Sequence, residues 1–329
     1  MDAAQILLVV MWVGITLYAL LGGADFGGGV WDLLAGREHT NRKLIEHAIG
    51  PVWEANHVWL IFVLVVLWTG FPPVFAAVMS TLYIPLTLAA LGIIFRGSAF
   101  VFRKASTEWW SRRLFGAAFA ISSLLTPFFL GTVAGAIASG RVPPGLAAGD
   151  LVASWVNPTS MLGGVLAVGV CAYLAAVYLC DDAVRAGLDP EGFRRRAIGT
   201  GVVVGVVALA GIAVLRWDAP ALFAGLTHRA LPAVVASAVM GLASLGLLWA
   251  RGYLLVRVTA VLAVTAVMWG WPLAQYPVML PPAFTYRQAA AGPEVLVVTL
   301  IVLGVGALLV LPAIGWLLAV QRRLPYDSG

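Results

Sequence analysis

Charged residues are scarce along this chain. Only 11% of its 329 residues are Asp, Glu, Lys or Arg and 61% are hydrophobic, whereas soluble domains carry about 25% charged residues. This composition excludes a soluble fold. Apolar runs of about 20 residues, long enough for a helix to cross a bilayer, recur from end to end. The runs are continuous and do not alternate with polar residues, so they predict an all-α polytopic membrane protein.

Residues that bind metals or form disulfides are also few. The chain has two cysteines and four histidines. Cys171 and Cys180 are nine residues apart on one predicted helix, about 13 Å along its axis and on opposite faces, so they cannot pair with each other. Only His57 lies within a predicted span, and no Cys or His cluster has metal-ligand spacing. The sequence therefore predicts no metal site and no paired haem site in this chain.

Hydropathy predicts nine membrane-spanning helices. Their approximate bounds are residues 5–24, 52–71, 75–95, 115–138, 158–180, 198–216, 230–249, 254–273 and 295–320. When successive loops are placed on alternate sides, all but four of the 20 Lys and Arg residues fall on one side. Because cytoplasmic loops are rich in Lys and Arg, the N-terminus is predicted outside and the C-terminus in the cytoplasm. The net charge of +5 reflects this orientation and does not indicate nucleic-acid binding.

The chain is predicted to be a single integral membrane domain over residues 1–329. Residues 5–21 form a span with no basic region ahead of it, so a cleavable signal peptide is not expected. The connection 275–294 is rich in proline and aromatic residues, and we expect it to cap the outer surface. Asn157 followed by Pro158 predicts the N-cap of the fifth span.

The second predicted span begins with polar residues that are unusual inside a membrane. Trp53, Asn56 and His57 share one helix face, and Glu54 adjoins His57. Intramembrane ionisable residues are rare and mark functional sites. A carboxylate beside an imidazole at a membrane entrance suits proton transfer, because histidine titrates near neutral pH. The alternative is an interfacial Glu54–His57 pair that only anchors the end of the helix.

Two further charged residues are placed at the ends of predicted spans. Asp25 follows the first span within a glycine-rich stretch, and a hairpin of the first two helices brings it toward Glu54 at the cytoplasmic face. These glycines lack the spacing of a nucleotide-binding loop. The alternative for Asp25 is a helix-end residue in water. Arg96 ends the third span, where ordinary positive-inside anchoring is the favoured interpretation.

At these positions the sequence resembles subunit II of the cytochrome bd quinol oxidases. The most specific motifs are GGADFGGGVWDLL at residues 22–34, IGPVWEANHVWLI at 49–61 and FRGSAFVFR at 95–103. Weaker similarity lies at residues 157–170 and 276–282, so the resemblance covers nearly the whole chain. It implies two four-helix bundles plus one peripheral helix, in a bacterial or archaeal cytoplasmic membrane.

The resemblance also implies a heterodimer with subunit I, which holds haem b and haem d and oxidises ubiquinol or menaquinol. The complex reduces dioxygen to water with protons taken from the cytoplasm and without proton pumping. Membrane lipid, quinone and a small accessory subunit are further partners that such a complex allows. Subunit II of this family contributes a hydrophilic path toward the haems. Its acids match Glu54 and Asp25, and its arginine matches Arg96.

The expected mechanism is proton uptake through Asp25 and Glu54, assisted by His57. Trp53 and Asn56, together with Arg96, are expected to support this path. The sequence departs from the family at Val101, where many members carry an acid, and at His57, where better-known members carry Gln or Glu.

Two other functions stay open at this point. A proton-coupled secondary transporter would use the same three residues, Asp25, Glu54 and His57, although the inverted repeats of such transporters are not evident. A scaffold subunit would use the acidic residues only as interfacial anchors. Copurification of haem separates the oxidase from the transporter, and the activity of a Glu54→Gln variant separates it from the scaffold.

Overall fold

The structure, a computed structural model, is almost entirely helical. It describes residues 1–34, 44 and 53–321, and the side chains at 53–55, 311, 314 and 317–321 lie outside the described set. In chain order the elements are α1 (Ala3–Leu17), α2 (Gly23–Leu34), α3 (Trp53–Gly70), α4 (Pro72–Thr81), α5 (Tyr83–Ala105), α6 (Trp109–Ala138), α7 (Pro158–Arg185), α8 (Glu191–Asp218), α9 (Pro220–Thr227), α10 (Leu231–Trp249), α11 (Tyr253–Gln275), β1 (Val278–Leu280), β2 (Phe284–Thr285), α12 (Tyr286–Ala289) and α13 (Pro293–Gln321).

Each of the nine predicted spans corresponds to an apolar helix. A π-helical turn at Tyr18–Gly22 joins α1 and α2 into one segment of 32 residues. This segment and α5, α6, α7, α8, α10, α11 and α13 are the eight described helices that are long and apolar enough to cross a membrane. The ninth, α3, has 18 residues. The prediction of an all-α polytopic membrane protein is confirmed.

The first and third spans differ from their predicted bounds. The first helix does not end at residue 24 but continues through the glycine-rich stretch to Leu34, so Asp25 lies inside it. The apolar run predicted as one span at 75–95 is broken at Leu82 into the short α4 and the longer α5. A continuous apolar sequence hides such a break, because hydropathy reports burial in lipid and not backbone direction. The shift places Arg96 near the middle of α5 instead of at its end.

The helices pack in two groups, in line with the expected two bundles and a peripheral helix. In the first half α5 packs along α6, and α2 lies against α6 and α7. In the second half α8, α10 and α11 pack around α7. A hydrogen bond between the buried Tyr173 and Ser244 side chains joins α7 to α10. Helix α13 packs on α1 and α3 at the periphery.

Two glycines allow the helix backbones of the first half to approach closely. A Cβ atom at Gly27 would overlap the backbone carbonyl of Cys171, which places α2 directly against α7. A Cβ atom at Gly131 would overlap the carbonyl of Gly163, where α6 meets α7. Small residues at such crossings are typical of membrane helix packing, because van der Waals contact between backbones holds the helices together.

The connection between α11 and α13 folds as the compact cap that its composition predicts. Strands β1 and β2 form an antiparallel hairpin, and α12 follows directly. Arg287 donates a hydrogen bond to the carboxylate of Asp2 at 2.9 Å, so the cap covers the start of α1. The backbone N–H of Ala291 donates to the carbonyl of Gly70 at the end of α3 at 2.9 Å.

A second set of contacts ties the two halves together on the same side. Asn157 caps α7 as predicted, since its side-chain oxygen accepts from the N–H of Ser160 at 2.9 Å. Asp218, at the end of α8, accepts from Arg141 at 2.6 Å. It also accepts from the hydroxyl of Thr159 at 2.5 Å and from its N–H at 2.9 Å. One carboxylate thus joins α8 to α7 and to the segment after α6.

We expect Asp218→Asn to lower the thermal unfolding midpoint of the protein in detergent. The substitution removes the charge that Arg141 and Thr159 share, and losing charge-assisted hydrogen bonds of this kind costs about 1–3 kcal/mol. Glu294→Gln is the matched control, because Glu294 is an exposed acid in the first turn of α13. Equal midpoints for the two variants would show that the contacts of Asp218 do not stabilise the fold.

Candidate functional site

A cluster of buried polar side chains lies where four helices of the first half meet. Its members are Asp25 on α2, Asn56 on α3, Arg96 on α5 and Ser123 on α6, each less than 10% exposed. Polar groups inside a membrane protein are unfavourable unless they find partners. A cluster drawn from four separate helices is therefore a candidate functional site.

Asp25 is bonded from two directions. The side-chain amide of Asn56 donates a hydrogen bond to its carboxylate oxygen Oδ2. The Nη2 of Arg96 donates to the backbone carbonyl oxygen of Asp25 at 2.9 Å. The carboxylate is only 6% exposed, so it lies inside the helix bundle and not in water. The helix-end alternative for Asp25 is thus wrong.

The guanidinium of Arg96 is held by hydrogen bonds and by two aromatic rings. Its Nε donates to the hydroxyl of Ser123 at 3.1 Å, and that hydroxyl donates to the carbonyl of Phe119 at 2.7 Å. The guanidinium carbon lies 4.9 Å from the ring centre of Phe26 and 5.0 Å from that of Phe119. Arginine is suited to such a site because its planar fork bonds two acceptors while its faces stack on aromatic rings.

The interpretation of Arg96 as a positive-inside anchor is wrong. An anchoring arginine reaches water or lipid headgroups, whereas Arg96 is 2% exposed. The error follows from the misplaced third span, since a helix predicted to stop at residue 95 left Arg96 in a loop. The helix continues to Ala105, and the side chain turns inward.

His57 lies at the edge of this cluster. Its ring centre is 6.2 Å from that of Tyr18 in the π turn and 6.1 Å from that of Phe26 on α2. The imidazole is partly exposed, so it connects the aromatic wall of the cluster with the surface of α3. The sequence places Asn56 and His57 at the entrance of the second span. In the structure Asn56 contacts α2, and His57 contacts both α2 and the π turn.

Two predicted site residues lie outside the described side chains. Trp53 and Glu54 begin α3, but only their backbone belongs to the described structure. The predicted approach of Glu54 to Asp25 is therefore still a prediction. The residue of α3 that Asp25 meets in the described structure is Asn56, two residues further along the helix.

Sequence reasoning missed two residues near this cluster. Ser123 was hidden in an apolar span, where a single hydroxyl gives no pattern. Asp32 forms an ion pair with Arg103 at 2.6 Å and is 3% exposed. Its spacing offered a signal, because a residue seven positions after Asp25 lies on the same helix face.

The described residues offer no ligand set for a metal or a haem. Among them, no group of three or more His, Cys, Asp and Glu side chains is close enough to hold a metal ion. Within these ranges the histidines are His57 and His228, and His228 is exposed at the end of α9. Cys171 and Cys180 are both buried and free, as their spacing predicts.

Comparison with known proteins gives a consistent result. The family model for cytochrome bd terminal oxidase subunit II matches residues 3–321. The chain is 32% identical over 172 residues to cytochrome bd ubiquinol oxidase subunit 2 of Bacillus subtilis (strain 168), covering 52% of this chain and 50% of that protein. It is 30% identical over 186 residues to cytochrome bd-I ubiquinol oxidase subunit 2 of Escherichia coli (strain K12), covering 53% and 48%. These alignments span about half the length of the curated relatives.

A solved structure shows that the fold is shared over nearly the whole chain. A chain of the bd oxidase from Geobacillus thermodenitrificans superposes with a TM-score of 0.81. The match covers 97% of this chain and 98% of that chain, at 23% sequence identity. The likeness therefore extends over both halves of the chain.

Proposed function

The chain belongs to the cytochrome bd terminal oxidase subunit II family, and from this we propose that it is the haem-free subunit of a membrane-bound quinol oxidase. Its partner is a subunit I that binds haem b and haem d. These haems would supply electron transfer and dioxygen reduction when the complex is assembled. The multi-pass helices of this chain support that partner within a bacterial membrane.

The contribution that we assign to this chain is proton delivery. Two quinols release four electrons and four protons, and one dioxygen takes up four electrons and four protons to give two waters. The protons that enter the water must reach a buried site through the protein. A carboxylate buried among helices and bonded by an amide is the kind of group that can accept and release a proton there.

The observation that supports this proposal most directly is the setting of Asp25. It lies inside the bundle, with Asn56 on its carboxylate and Arg96 on its carbonyl. We propose that protons pass through Asp25 and Glu54 with the help of His57. Asn56 and Arg96 hold Asp25 in place, and Trp53 is predicted from the sequence to support the path.

The oxidase assignment is tested by purifying the complex from membranes on a tag at the C-terminus. We expect a larger membrane subunit, a haem d absorption band and quinol-driven oxygen uptake in the same sample. A b-type spectrum without haem d but with oxygen uptake would indicate a variant oxidase. A colourless chain without a partner, from cells that express subunit I, would reject the assignment and favour a proton-coupled transporter.

Glu54→Gln is expected to lower oxygen uptake about tenfold or more while the haem content stays unchanged, because an amide keeps the size of the side chain but cannot carry a proton. Oxygen uptake per haem at saturating quinol is the measurement. Glu108→Gln is the matched control, since Glu108 is exposed and its side chain makes no capping hydrogen bond to α6. Unchanged turnover in Glu54→Gln would reduce this residue to an anchor, as in the scaffold alternative.

A further inference from the structure

We propose that Asp32, paired with Arg103, is the acid that collects protons at the cytoplasmic end of the path leading to Asp25. This inference rests on the proposed function in proton delivery. It concerns a buried carboxylate that the path described above does not include.

The two acids are aligned along one helix. Asp32 follows Asp25 by seven residues on α2, which is two helical turns, or about 10 Å along the axis. On α5, Arg103 follows Arg96 by the same seven residues. The structure therefore has two levels of contact between α2 and α5, with Asp25 and Arg96 at one and Asp32 and Arg103 at the other.

The second level is a two-pronged ion pair. The Nη1 of Arg103 lies 2.6 Å from Oδ2 of Asp32, and Nη2 lies 3.5 Å from Oδ1. The Asp32 side chain is 5% exposed and that of Arg103 is 15% exposed. Arg96 at the first level is 2% exposed. The arginine of the second level is thus more exposed than the arginine of the first, while the acids of both levels are buried.

The space between the two levels is polar on the side of α6. Gly29 lies between Asp25 and Asp32 on the same face of α2, and a Cβ atom there would overlap the hydroxyl of Ser123. That hydroxyl is also the acceptor for Nε of Arg96. No side chain of α2 therefore separates the two acids on this face, and the group that fills the position is a hydroxyl.

The pair also offers a carboxylate that α5 lacks. Val101 on α5 is 54% exposed. It lines a shallow surface groove with Ile94, Gly97 and Phe102, on another face of α5 from Arg103. At the same level of the bundle, α2 contributes Asp32 from the inside. Because α5 contains no Asp or Glu, the carboxylate at this level comes from α2.

The test is Asp32→Asn in the purified complex, compared with Asp32→Glu. We expect the amide to lower oxygen uptake per haem about tenfold, because it cannot bind and release a proton. We also expect the solvent deuterium isotope effect on uptake to increase, because proton entry becomes limiting. Asp32→Glu should restore most of the uptake. An ion pair that only holds α2 to α5 would instead leave uptake per assembled haem unchanged in Asp32→Asn.

A double variant keeps the test decisive if Asp32→Asn assembles poorly. Asp32→Asn combined with Arg103→Gln removes both charges of this ion pair, so neither charge is left without the other. We expect it to assemble and to show the same loss of uptake, and full uptake would overturn the proposal. Asp181→Asn is the matched control, because Asp181 is a buried acid paired with Arg185 on α7.

Asp25→Asn in the same preparations distinguishes the proposed entrance at Asp32 from the proposed proton path through Asp25. Loss of uptake in Asp25→Asn, with normal uptake in Asp32→Asn and in the double variant, would reject the entrance. It would leave the proposed proton path through Asp25 standing. Normal uptake in Asp25→Asn, in Asp32→Asn and in the double variant would reject proton delivery through this chain altogether.

Discussion

Asp25→Asn should reduce quinol-driven oxygen uptake about 100-fold while the haem spectrum of the complex stays intact, since a positioned proton-transfer group contributes 10²- to 10⁴-fold. The structure indicates that the substitution leaves the hydrogen bonds around residue 25 in place. The amide of Asn has the size of the carboxylate, and its oxygen still accepts from Asn56. Arg96 bonds the backbone carbonyl of residue 25, which the substitution leaves unchanged. The side chain therefore keeps its hydrogen bonds and loses its proton chemistry together with its negative charge. Oxygen uptake per haem at saturating quinol measures the effect.

Two companion variants show whether the loss is chemical or structural. Asp25→Glu keeps a carboxyl group and should recover uptake to within about tenfold of the unaltered complex, limited by the fit of one extra methylene group. Asp181→Asn removes a buried acid elsewhere and should retain full uptake. If Asp25→Asn lost haem together with uptake, Asp25 would be a structural residue and not a proton carrier.

The helices were predictable because lipid imposes a strong constraint on sequence. A membrane span must satisfy its own backbone hydrogen bonds and present apolar side chains, so hydropathy alone indicates the nine spans. The hairpin formed by the first two spans predicts that Asp25 approaches Glu54, and this contact stays a prediction. In the described structure Asp25 meets Asn56 of the same helix.

The lateral contacts of the site were not predictable in the same way. An apolar helix in lipid has no polar outer face, so the sequence does not show which side of α5 or α6 turns inward. For this reason Arg96 was assigned to an anchoring role and Ser123 was not noticed. Gly29 marks one of these lateral contacts, because a Cβ atom there would overlap the side chain of Ser123 on α6.

Arg96→Leu should have the largest effect on stability in this chain, because it removes the shared centre of the cluster. Deleting one partner of a buried charged network costs about 3–5 kcal/mol. The substitution leaves the carbonyl of Asp25 and the hydroxyl of Ser123 without their donor. We expect a much lower yield of haem-containing complex and a lower unfolding midpoint in detergent. Arg112→Leu, at an exposed position in the first turn of α6, should change neither quantity.

A double variant shows whether Arg96→Leu lowers stability by leaving a buried charge uncompensated or by removing packing contacts. Arg96→Leu leaves the buried carboxylate of Asp25 without a neighbouring positive charge, whereas Arg96→Leu with Asp25→Asn leaves no buried charge at that level. If charge compensation is the cause, the double variant should recover part of the unfolding midpoint that Arg96→Leu loses. Its oxygen uptake should stay as low as that of Asp25→Asn, since the acid is absent. Equal instability of the single and double variants would assign Arg96 to packing against Phe26 and Phe119 instead.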